Sequence, residues 1–104
     1  RALAVTDTNR TESLKAVPSA PEAGFPDLEV SSWSAMYAPT GTPQPVIDKV
    51  AGEIGKIMAT DAFRKKAAEL GAEARFMGPK ELGAYTQSEL TRWAAVVKAA
   101  NIQE

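Results

Sequence analysis

The chain has 104 residues, 44% of them apolar, which is enough for one small core but not for two. Charged residues make up 24% and leave a formal net charge of -1, so the balance favours neither a nucleic-acid backbone nor an anionic membrane as a partner. Cysteine and histidine are absent, which excludes a disulfide framework, thiol catalysis and thiolate zinc sites.

No window approaches the roughly 18 consecutive apolar residues of a membrane span, so no direct membrane insertion is expected. The chain opens at Arg1 and enters the apolar run Ala2-Leu3-Ala4-Val5 at once, as if in mid-strand, and is expected to be a piece of a longer protein. Arg1–Thr6 ("RALAVT") reads as a strand covered on both faces. Residues 7–27 are polar and broken by Pro18, Pro21, Gly24 and Pro26, which predicts an ordered loop with one helical turn near Ala20 to Ala23. Loops of that length inside compact domains are often functional.

Residues 28–38 ("LEVSSWSAMYA") place Leu28 and Val30 on one parity and Trp33, Ala35 and Tyr37 on the other. The phase change at Ser31-Ser32 fits a bulge, or a central strand covered on both faces. "APTGTPQPV" then marks a strand end and a helix start, with Thr42 as the expected N-cap and Pro43 at the first helical position.

The first helix is expected over about 43–59, with an apolar stripe of Ile47, Val50, Ile54, Ile57 and Met58. Gly52 and Gly55 interrupt it, and close packing against another element would offset their low helix propensity. A second helix over 61–70, capped by Thr60 or Asp61, should bury Phe63, Ala67 and Leu70 and stop at Gly71. Residues 72–77 ("AEARFM") alternate weakly and are a candidate short edge strand. Gly78-Pro79 opens the longest helix, over 79–100, with Leu82, Thr86, Leu90, Trp93 and Val97 as its stripe. The order of elements is that of an α/β fold.

Chemistry has few candidates. No Ser-x-x-Lys pair or carboxylate dyad stands beside a glycine-rich turn, and Gly41 lacks the phosphate-cradle pattern and its lysine, so no enzyme, metal or cofactor is expected. Ser31, Ser32, Trp33 and Ser34 could form a polar-aromatic surface for an organic anion, although a core tryptophan beside surface serines is the commoner arrangement. Arg10 could pair bidentately with a carboxylate, against the commoner outcome of a solvated arginine. Glu81, Glu89, Lys80 and Arg92 read as helix-surface charges.

Four pieces in order, "RALAVT" followed by an arginine, "VPSAPEAGFPDLEV" in the place of a Val-Pro-Thr-x-x-Glu-x-Gly segment, "SSWSAMYAPTGTP" and "AAELGAE", resemble the substrate-binding proteins of tripartite tricarboxylate transporters, the Bug-type solute receptors. The likeness spans essentially the whole chain but matches only the C-terminal third of the much longer family members. It implies a two-lobe, type II-like periplasmic binding protein. This chain would supply part of one lobe, with two main strands, the candidate third strand and three helices, its sheet incomplete without the N-terminal part or another chain.

The resemblance further implies an exported, periplasmic protein whose signal peptide lies in that N-terminal part. It would capture a small organic acid or amino acid carboxylate and deliver it to membrane transporter subunits. The family's main clamping loops fall outside this chain. Of what remains, Thr6, Asp7 and Ser19, where the family usually has threonine, are the expected ligand-facing residues, with Trp33 at the cleft rim. Two alternatives of other classes are an interaction module docking through the last helix, with Leu90 and Trp93 exposed, and a small hydrolase or isomerase built on Ser, Lys or carboxylates. An isolated piece of this kind is expected to complete its sheet against another chain.

Overall fold

Backbone groups in an extended segment need a neighbour running alongside, and the chain's first apolar run meets its neighbours at one end. In the computed structural model, which describes residues 1–102, the chain divides into two units, Arg1–Tyr37 and a second beginning at Ala38.

In the first unit Val5 forms an isolated parallel bridge with Ser19, its N–H donating to the Pro18 carbonyl at 2.9 Å. One residue on, the Val30 N–H donates to the Thr6 carbonyl at 2.9 Å, and the Thr6 hydroxyl donates to the Val30 carbonyl at 2.6 Å. These contacts concentrate at Val5 and Thr6, so the strands expected over 1–6 and 28–38 are extended segments without a ladder. Among the described residues no strand forms, the candidate at 72–77 included. Pairing propagates only where a second segment runs parallel for several residues, and without a ladder the phase change at Ser31-Ser32 has no bulge to make.

The loop between these segments holds a 3-10 turn at Glu12–Leu14 and a helical turn over residues 20–24. That second turn closes as a helix end would: Phe25 N–H donates to the Ala20 carbonyl at 2.9 Å and Gly24 N–H to the Pro21 carbonyl at 3.1 Å, with Gly24 at φ +90. Ser19 and Ala20 at its start are buried, 2% and 0% exposed.

The second unit is three helices, α1 (Gln44–Met58), α2 (Asp61–Glu69) and α3 (Pro79–Ala99), with α1 packed on both of the others. Pro43 is the N-cap of α1, and Thr42 does not cap it as expected. The Thr42 hydroxyl donates instead to the Pro39 carbonyl at 2.9 Å, closing the turn that Gly41 allows at φ +88. With Pro45 inside the first turn one N–H is already missing there, and those of Val46 and Ile47 reach the Pro43 carbonyl at 3.0 and 3.3 Å.

Thr60 caps α2, its hydroxyl accepting from the Phe63 N–H at 3.2 Å. Gly71, at φ +71, ends that helix. Ala72 N–H donates back to the Ala67 carbonyl at 2.9 Å and Gly71 N–H to the Ala68 carbonyl at 3.0 Å. Leu70, expected inside, is 75% exposed at the C-cap, and Phe63 is exposed as well. In α1, Gly55 lies under the Phe76 ring, while Gly52 faces nothing within 4 Å, so close packing accounts for one glycine of the two. The α3 stripe is half-buried at Leu82 and Thr86 and exposed at Leu90, Trp93 and Val97.

Candidate functional site

The residues expected to face a ligand come from the end of the first extended segment and the far end of its loop. The parallel bridge sets Ser19 beside Val5, and the Ala20 N–H points at the Asp7 carbonyl, 3.4 Å away. The loop's return thus brings the Ser19-Ala20 turn to Val5 and Asp7, whereas Thr6 between them is engaged with Val30.

Each of the three is already engaged. Thr6 spends its hydroxyl proton on Val30, leaving the oxygen lone pairs as acceptors. Asp7 Oδ1 accepts from the Thr8 hydroxyl at 3.2 Å and the Asn9 N–H at 3.4 Å, a local turn that Asp commonly makes. Ser19 donates its N–H to Glu22 Oε2 at 2.8 Å. Trp33 stands three residues beyond Val30 in the second extended segment and is 41% exposed, so in this chain it is not the core tryptophan that its type favours. Ser31, Ser32 and Ser34 around it are also exposed.

Arg10 and Glu22 organise the loop. The Arg10 guanidinium grips the Glu22 carboxylate with Nε to Oε2 at 2.8 Å and Nη2 to Oε1 at 3.1 Å, and its Nη1 donates to the Lys15 carbonyl at 3.0 Å. The carboxylate partner anticipated for Arg10 thus belongs to the chain itself. The hydrogen bond from Arg10 above all, then that from the Ser19 backbone, hold the Glu22 carboxyl down at about 2 from its ordinary 4.5.

Ser19-Ala20-Pro21-Glu22 has the Ser-x-x-Glu spacing of a capping box, and Glu22 supplies the half that reaches back to the cap residue's N–H. In the sequence Glu22 stands out only as the glutamate of the Val-Pro-Thr-x-x-Glu-x-Gly segment, and the Ser-x-x-Glu spacing is the signal for its capping role. Beside the turn, an open hollow lined by Gly24, Phe25, Pro26, Asp27 and Leu28 is too shallow to enclose a small molecule.

Among the described residues no group of three or more acidic side chains could hold a metal ion, and no helix is long and apolar enough to cross a membrane. What Thr6, Asp7 and Ser19 still offer is acceptor capacity, at the Thr6 hydroxyl oxygen and the Asp7 carboxylate.

Comparisons with known proteins place this chain in a family. A model of the tripartite tricarboxylate transporter family receptor matches residues 1–102. The chain is 35% identical over 98 residues to a UPF0065 protein from the tcbD-tcbE intergenic region of Pseudomonas sp. strain P51, covering 93% of this chain and 29% of that protein. To the BugT protein of Bordetella pertussis it is 32% identical over 98 residues, covering 94% of this chain and 30% of the relative. The solved R. palustris Rpa4515 with adipate superposes with a TM-score of 0.81 at 33% identity, covering 96% of this chain and 33% of that one. The chain thus spans about a third of the length of these three proteins. From the match over residues 1–102 and the agreement in backbone, this chain belongs to the tripartite tricarboxylate transporter receptor family.

Proposed function

We propose that this chain is the C-terminal part of a periplasmic solute receptor that captures a small organic carboxylate and hands it to the membrane subunits of a tripartite tricarboxylate-type transporter. The observation that supports it most is the likeness to Rpa4515, a protein solved with adipate, at a TM-score of 0.81 and 33% identity. The receptor acts by binding and catalyses nothing. The missing two-thirds would supply the other lobe, the strands that pair with the extended segments at 1–6 and 28–38, and the main clamping loops.

In this reading Thr6, Asp7 and Ser19 form the part of the cleft wall that this chain contributes, and Trp33 stands at its rim. A carboxylate ligand needs donors, and here the Thr6 hydroxyl proton goes to Val30 and the Ser19 N–H to Glu22, so the clamping loops outside this chain would supply most of them. Closure of the two lobes would couple ligand binding to the surface shown to the transporter. Cut from its parent, the chain would pair its extended edges with a second copy, which light scattering would register as concentration-dependent association.

Uptake tests the delivery step. Cells that carry the transporter's membrane subunits should accumulate a labelled carboxylate only when the full-length receptor is also present. Equal uptake without the receptor would count against the proposal.

A further inference from the structure

We propose that Arg10 and Glu22 are positioning residues of the ligand-binding wall: together they fix the Ser19-Ala20 turn against Val5 and Asp7, and ligand affinity depends on that placement. The inference rests on the receptor reading above and goes beyond it by assigning a role to two residues that touch no proposed ligand position.

The geometry is that of a register pin. Arg10 lies on the outgoing arm of the loop, Lys15 at its bend and Glu22 on the returning arm, and one guanidinium bonds to the last two. The carboxylate is then shared. Glu22 Oε2 accepts from Arg10 Nε at 2.8 Å and from the Ser19 N–H at 2.8 Å, so the atom that receives the arginine also holds the residue that bridges to Val5. Ser19 and Ala20 are the most deeply buried described residues, so a shift of the turn cannot be absorbed by solvent-facing slack. Pair and turn are therefore one unit, and where the turn meets Val5 and Asp7 is set by what Arg10 grips.

An exposed ion pair adds little to stability by itself, and both side chains here are about half exposed. The shared oxygen separates stapling from positioning. In Glu22→Gln, the amide nitrogen must face either a guanidinium donor or the Ser19 N–H, and whichever orientation it takes sets donor against donor. In the exchanged double variant Arg10→Glu with Glu22→Arg, opposite charges again link the two arms. The Ser19 N–H then faces a guanidinium and has no acceptor.

The test uses the full-length receptor, titrated calorimetrically with adipate, glutarate and citrate, with melting temperature read in parallel without ligand. Glu22→Gln should weaken the best of these acids by about tenfold or more, chiefly through faster dissociation. The exchanged variant should regain the melting temperature of the wild type but not its affinity, which a purely structural staple would restore together. Wild-type affinity in both variants would overturn the positioning role while leaving the receptor reading intact, and so would joint recovery of affinity and melting temperature in the exchanged variant. A wild-type receptor that binds neither these acids nor any of a wider panel of mono-, di- and tricarboxylates and amino acids would instead sink the carboxylate-receptor reading and this inference with it.

Discussion

The Phe76 ring sits on the backbone of α1 at Gly55: a Cβ built there would lie 3.2 to 3.4 Å from three of its ring atoms. Gly52, three residues earlier on the same helix, would meet nothing within 4 Å. The two glycines therefore answer to different physics although the sequence presents them alike. Gly52→Ala should stabilise by about 0.5–1 kcal/mol through helix propensity and a less flexible unfolded chain. Gly55→Ala should gain less or lose, because the ring must give way. Urea unfolding of the two variants against wild type checks the pair, and equal gains at both positions would contradict the packing account.

At the end of α2, Gly71 holds φ +71, where a Cβ has open space around it and only the backbone conformation objects. Gly71→Ala should cost about 1 kcal/mol, with Gly71→Asn costing less, since asparagine visits that region more readily. A neutral alanine variant in the same unfolding assay would mean that the helix ends without the left-handed residue.

At the start of α2, the Thr60 hydroxyl satisfies the Phe63 N–H. Thr60→Ala should destabilise by about 1 kcal/mol, and Thr60→Ser should retain most of the stability. Amide exchange at Phe63 is the local readout, rising in the alanine variant and staying slow in the serine variant.

The Glu22 carboxyl is held at about 2, below its ordinary 4.5, first by the hydrogen bond from Arg10. A lowered folded-state value means that the ionised form is preferred in the fold. The stability it contributes is complete above the ordinary value and is lost as pH falls toward about 2. A carbon-detected NMR titration should place the Glu22 midpoint near the lowered value, and Arg10→Ala should bring it back toward the ordinary one. High salt should do the same in part, because the pair is half exposed. A Glu22 midpoint that ignores Arg10→Ala would break the link.

The helices were legible because their signals act within a turn of where they stand. Pro79 after Gly78, Thr60 before Asp61 and Gly71 after Leu70 each settle an end locally, and the observed bounds lie about one residue from the expected ones. Pro43 stands one step outside its expected place in α1, and the Thr42 hydroxyl donates to the Pro39 carbonyl instead of accepting from a helix N–H. Strands are a different matter. Their ladders depend on partners distant in sequence, and Val5 meets Ser19 at a single bridge. At the candidate site, Asp7 and the Ser19-Ala20 turn are neighbours through the Ala20 N–H, while Thr6 turns to Val30. The Arg10 to Glu22 grip is not readable as a pair, because it exists only once the loop has folded back over twelve residues, whereas the proline and glycine breaks did announce the turn near Ala20.

The central claim is that this chain is part of a carboxylate receptor, and thermal unfolding of the full-length protein tests it most directly. The protein is first unfolded, dialysed and refolded to remove any bound acid, then melted with mono-, di- and tricarboxylates beside their neutral amides. A melting temperature that climbs with the concentration of one acid, and not with its amide, is the predicted result. No shift with any acid up to millimolar concentration would contradict the account.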